Sequence, residues 1–124
     1  MKALFKAALA AAALATLPTG VALAQASGDK PLSLIVPFSP GGGTDILSRM
    51  LAPKLAEKLG ISVVVENRPG AAGAIAAQHV ARSAPDGRTL LVGSTSEIGV
   101  NPSLYPKLPY DVGRDFAPVA ALAD

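Results

Sequence analysis

No cysteine and no tryptophan occur in the 124 residues, and only one histidine does. The missing thiols exclude a disulfide framework, a thiolate metal site and a cysteine nucleophile, so the fold must hold together by burial alone. The lone His79 lies in the middle of a helical pattern with no obvious carboxylate partner nearby in sequence. It reads as a surface or packing histidine rather than a base. No His/Asp/Glu cluster has metal-ligand spacing, and no cofactor is implied. Aromatic residues make up 4% of the chain, and no basic stripe argues for nucleic acid.

The N-terminus reads as a leader. Lys2 and Lys6 form a basic start, Ala7 to Leu17 an apolar run, and Val-Ala-Leu-Ala-Gln-Ala-Ser supplies small residues for cleavage after Ala24 or Ala26. A membrane-spanning helix needs ~20 apolar residues, more than this run provides. Export to the periplasm with cleavage is the expectation. With Lys2 and Lys6 removed, the 11 cationic side chains fall to nine, against nine carboxylates. Removing residues 1–24 from 124 leaves 100, enough for one domain with a modest core.

Three short apolar runs then follow: LSLIV (32–36), SVVVE (62–66) and TLLVG (89–93). None alternates apolar with polar, which predicts strands covered on both faces of a parallel sheet. Between the first two, Ile46, Leu47, Met50, Leu51, Leu55 and Leu59 form a stripe at helical spacing. Thr44 or Asp45 can cap its start, Gly60 can stop it, and Pro53 should kink or split it. A second, alanine-rich helix, with Ala72, Ala76 and Val80 on one side, ends at the turn signature A-P-D-G. Residues 101–111 carry three prolines and should be irregular, and 117–124 resembles the opening of a further strand. The order β-α-β-α-β predicts an α/β fold with parallel pairing.

In such a sheet, ligands gather beyond the carboxyl ends of the strands. Three loops fall there: PFSPGGGTD (37–45), NRPGAAG (67–73) and GSTSE (93–97). All are rich in glycine or small hydroxyls, and two lead into a helix start, where unpaired N–H groups and the macrodipole favour an anion. An anion cradle built from backbone is one reading of Gly41–Gly43, and a tight turn is the other. A nucleotide is disfavoured. No lysine follows the glycines, and Ile46 stands where the third glycine of G-x-G-x-x-G belongs. A small carboxylate fits better, with Ser94, Thr95 and Ser96 as hydroxyl donors. Asp45 either caps the helix or holds an ammonium group of a ligand. Arg68 either ties its loop to the domain or pairs with a ligand carboxylate. GSTSE lacks the final glycine of G-x-S-x-G, and no catalytic residue is identified.

The motifs I-V-P-F-x-P-G-G-x-x-D, V-V-V-E-N-R-P-G-A-x-G, A-P-D-G-x-T-L-L, N-P-x-L-Y-x-K-L-P-Y-D and D-F-A-P-V occur in that order from about Pro31 onward. Together they resemble the N-terminal lobe of the Bug-type receptors of tripartite tricarboxylate transporters. The resemblance implies a type II periplasmic binding protein of two α/β lobes closing on a di- or tricarboxylate or an acidic amino acid. The implied ligand contacts are Phe38, Ser39, Pro40, Gly41, Gly42, Gly43, Thr44 and Asp45 in the first loop. Gly70, Ala71, Ala72 and Gly73 follow at the second helix start, and Ser94, Thr95, Ser96 and Glu97 in the third loop. The implied partners are the carboxylate and the transporter's membrane subunits. Many relatives read G-A-G-G-N-I-G where this chain has Gly70-Ala71-Ala72-Gly73-Ala74-Ile75-Ala76. Relatives also continue into a second lobe, so residues 25–124 are expected to be one lobe of a clamshell with its counterpart missing. A sensory or scaffold protein on the same lobe, or a truncated fragment without function, is the alternative.

Overall fold

A computed structural model describes residues 30–123. The expected leader and cleavage site lie outside them. Three parallel strands, β1 (Leu32–Val36), β2 (Val63–Asn67) and β3 (Thr89–Leu91), form one sheet in the order β2-β1-β3. The register pairs Leu34 with Val65 on one side and with Leu90 on the other. The central strand is apolar on both faces because both are covered: Leu34 is 2% exposed and Ile35 and Val36 are fully buried. β2 is an edge strand, and Val64 faces solvent. Coverage on both faces thus holds for β1 but not for β2.

Helix α1 (Gly43–Leu59) covers one face of the sheet. There Leu32, Leu34, Val36, Val92 and Ala52 form a core, with Leu55, Val63, Val65 and Leu90 packed around it. Helix α2 (Ala74–Ala81) covers the other face. Its Ala74 and Ala77 pack with Tyr110, Leu91, Leu108 and Phe116. Neighbouring Leu90 and Leu91 therefore point to opposite layers, as strand alternation requires. Alanine suits α2 because a short side chain lets the helix backbone approach the sheet, and Ala76 and Ala77 are fully buried.

The apolar stripe read along α1 only partly coincides with the face it buries: Leu47, Leu51 and Leu55 are half-buried. Asp45, Ser48 and Ala52 turn inward, while Ile46, Met50 and Leu59 are exposed. Small residues and one acid are drawn in because the close approach and the polar contacts of Asp45 outweigh the stripe. Pro53 does not split the helix, which runs unbroken for 17 residues. The donor that Pro53 lacks would have met the carbonyl of Arg49, an exposed residue. Gly60 ends α1 in the left-handed conformation, its N–H bonded to the carbonyl of Ala56.

Three further expectations are corrected. Ala72 lies before α2 and is exposed, so it is not part of that helix's packed side. The stretch 101–111 is helical rather than irregular at its start: a π-type turn (Ser96–Val100) continues into α3 (Asn101–Leu104). Pro102 lies where the π-type turn passes into α3. A short α4 (Val112–Asp115) follows, capped by Asp111, whose side chain accepts from the Arg114 N–H. No strand forms over the described part of 117–124, which is exposed. A strand needs a neighbour to bond to, and among the described residues none pairs with this segment.

Candidate functional site

The three loops picked out by composition do meet at the carboxyl edge of the sheet, and side chains tie them together. Asn67, the last residue of β2, donates from its amide nitrogen to the Phe38 carbonyl at 3.1 Å and to Asp45 Oδ1 at 2.9 Å. Arg49 completes the set. Its Nε donates to both Asp45 oxygens at 3.0 Å, and its Nη2 donates to Asn67 Oδ1 at 3.0 Å. Residues 22 positions apart in the chain thus lock the first loop onto the end of β2.

Asp45 is only 3% exposed and takes no helix-capping bond, since α1 has no side-chain cap. It reaches back instead to accept the Gly41 N–H at 2.9 Å. Hydrogen bonds from Arg49, Gly41 and Asn67, in that order of weight, lower its carboxyl from 3.8 to about 2. The Gly41 amide is therefore occupied from within. The next three, on Gly42, Gly43 and Thr44, have no backbone acceptor among the described residues. Gly42 and Gly43 are exposed and Thr44 is half-buried, and these amides surround the positive end of α1. Ser39 and Pro40 form the exposed outer rim and Phe38 its half-buried base.

The second loop is unusual in its backbone. Gly70, Ala71, Ala72 and Gly73 all have positive φ, at 128°, 49°, 51° and 84°. Alanine rarely adopts this conformation, which costs ~1–2 kcal/mol per residue. The strained turn is held from beneath: Asn101 Nδ2 donates to the Ala72 carbonyl at 2.8 Å. The third loop folds on itself in a comparable way. Glu97 is fully buried, and its Oε2 accepts the Ser94 N–H at 2.7 Å and the Ser94 hydroxyl at 2.9 Å. Its Oε1 is buried with no partner among the described residues. Tyr110 donates its hydroxyl to the Glu97 carbonyl at 2.8 Å. Glu97 therefore supports the loop from below rather than lining its surface. Thr95 is exposed and Ser96 half-buried at the rim.

Sequence reading missed Arg49, Asn67, Asn101 and Tyr110. Asn67 stands in the N-R-P triplet and Asn101 and Tyr110 in N-P-x-L-Y-x-K-L-P-Y-D, but neither motif says which side chain ties the loops, and Arg68 is the triplet residue read as either a tie or a ligand partner. The Arg68 side chain pairs with Glu66 at 2.6 Å, while its backbone N–H bonds the Val36 carbonyl at 2.8 Å. Among the described residues no cluster of His, Asp and Glu could hold a metal ion, and no helix is long and apolar enough to cross a membrane.

Residues 47–124 match the family described as the Tripartite tricarboxylate transporter family receptor. Protein BugT of Bordetella pertussis is 48% identical over 96 residues, covering 77% of this chain and 29% of BugT. Among solved structures, MatC from Rhodopseudomonas palustris with bound malate is 43% identical with a TM-score of 0.71. The match covers 74% of this chain and 31% of MatC. An R. palustris protein with adipate is 40% identical with a TM-score of 0.64, covering 67% and 28%. The chain spans about a third of the length of the curated relatives it matches, consistent with one α/β lobe of a periplasmic binding protein. It belongs to the receptor family of the tripartite tricarboxylate transporters, alongside the Bug proteins.

Proposed function

We propose that this chain is the N-terminal lobe of a periplasmic receptor that captures a small carboxylate and passes it to the membrane subunits of its transporter. The observation that carries this reading is the group of open amides on Gly42, Gly43 and Thr44 at the start of α1. Backbone N–H groups at a helix start favour negative charge, and Thr95 and Ser96 add hydroxyls across the rim. The relatives solved with malate and adipate hold dicarboxylates, which supports that ligand class here. Capture and release is the proposed task, and no chemical step is assigned to the site.

The inner carboxylates refine the reading. Asp45 and Glu97 occupy the Gly41 and Ser94 donors, so the guest is directed to the outer amides. A single lobe leaves that guest open to water, and closure by a second lobe would strengthen the electrostatics by excluding it. A thermal-shift titration of the chain with malate, adipate and citrate tests the proposal. A ligand selective for the folded state raises the melting temperature progressively with concentration. No response to any of the three, at concentrations that saturate a two-lobed relative, overturns capture by this lobe.

A further inference from the structure

A second concentration of donors lies away from the glycine rim. A cavity of about 320 Å³ is lined by Arg68, Ile75, Gln78, His79, Arg82 and Ser83. No carboxylate lines it among the described residues. The adjoining groove, which shares Ile75 and Gln78, adds Lys107 and again no acid. The geometry points to a site here for a small dianionic oxyanion, distinct from the proposed carboxylate cradle and independent of it.

Three features carry the inference. Arg68 is held in place: its backbone is bonded to Val36 and one terminal nitrogen to Glu66. Its Nε is buried with no acceptor among the described residues, a donor that ordinarily finds a partner. Arg82 is exposed and makes no ion pair among the described residues. Nor is it needed to cap α2. The carbonyls of Gln78, Val80 and His79 already accept from Arg82 N–H at 3.1 Å, Ser83 N–H at 3.0 Å and Ser83 Oγ at 2.8 Å. Arg68, Gln78, His79 and Arg82 therefore border one cleft. Guanidinium groups favour carboxylate and phosphate oxygens through paired, charge-assisted hydrogen bonds.

Titration of the 15N-labelled chain with inorganic phosphate, and separately with succinate, tests the site, with chloride as the ionic-strength control. Saturable shifts at the Arg82 guanidinium and Gln78 side-chain amide are expected, and the two arms identify the preferred oxyanion. Arg82→Ala, whose unaltered spectrum elsewhere reports an intact fold, should weaken binding at least tenfold. Glu66→Gln, which frees Arg68 from its competing acid, should tighten it severalfold. Shifts that never saturate and match those in chloride overturn the site, as does binding unchanged in both variants. Shifts confined to residues 42–44 and 94–96 also overturn it while leaving the capture proposal standing.

Discussion

The side chain of Glu97 lies against the α-carbon of Gly73, in the space where any larger residue would place its β-carbon. Gly73 also has a φ of 84°, a region that L-residues rarely adopt. Gly73→Ala is therefore doubly unfavourable. Backbone strain of ~1 kcal/mol adds to an overpacking cost of ~1–3 kcal/mol. Urea denaturation should show a loss of about 2–4 kcal/mol. Adding Glu97→Ala should recover the steric part and leave the backbone part, a coupling that a double-mutant cycle measures. A neutral Gly73→Ala would show that the contact does not exist.

Asp45 should leave a signature at acid pH. Its folded-state pKa of about 2 lies below the ordinary 3.8. Its contribution to stability is therefore complete above about 3.8 and is lost as pH falls toward 2. Asp45→Asn should flatten the stability-against-pH curve between those values. Some slope will persist, because hydrogen bonds from Arg88 and Arg114 respectively also hold Asp86 and Asp115 low. Carboxyl 13C shifts followed by NMR would locate the Asp45 midpoint directly, and Asn67→Ala should raise it by removing one of its donors. A midpoint at the ordinary value in the unaltered chain would contradict the network.

Ala72 offers the opposite case, a substitution that should stabilise. It holds φ 51° and ψ 39° on an exposed turn. Glycine relieves the left-handed cost of ~1–2 kcal/mol while adding ~0.4–1 kcal/mol of unfolded-state freedom. Ala72→Gly should gain about 0.5–1 kcal/mol on balance. At buried Ala76, inside α2, the same change should cost about 1 kcal/mol. A gain at neither position would mean the turn is not left-handed in solution.

Gly42 tests the open amides without disturbing the fold. Its φ is −77° and a β-carbon there meets only the Ser39 carbonyl at 3.7 Å, so the position accepts a side chain at its β-carbon. Gly42→Val should leave the melting temperature within a few degrees, yet abolish its rise with malate or adipate. A rise of undiminished size would mean that the glycines only turn the chain.

Much of the architecture was readable from neighbouring residues. The run LSLIV predicts β1 at its observed limits, and Gly60 marks the end of α1. The glycine-rich segments correctly indicate where the loops gather. Which donors those loops leave free was not readable. Asp45 looked like a cap, and only the approach of Asn67, 22 residues away, shows it locking two loops together. Glu97 looked like part of a binding surface until Gly73 and Tyr110 closed over it.

By itself, then, the sequence determined the β-α-β-α-β order of residues 32–91, because apolar spacing and turn residues act over three or four positions. The tertiary structure alone decided which face of α1 is buried, which carboxylates turn inward and which amides remain for a guest. The ties of Asn67 to Phe38 and Asp45 and of Asn101 to Ala72 join residues more than twenty positions apart, and they form only when parallel strands bring distant loops to one edge.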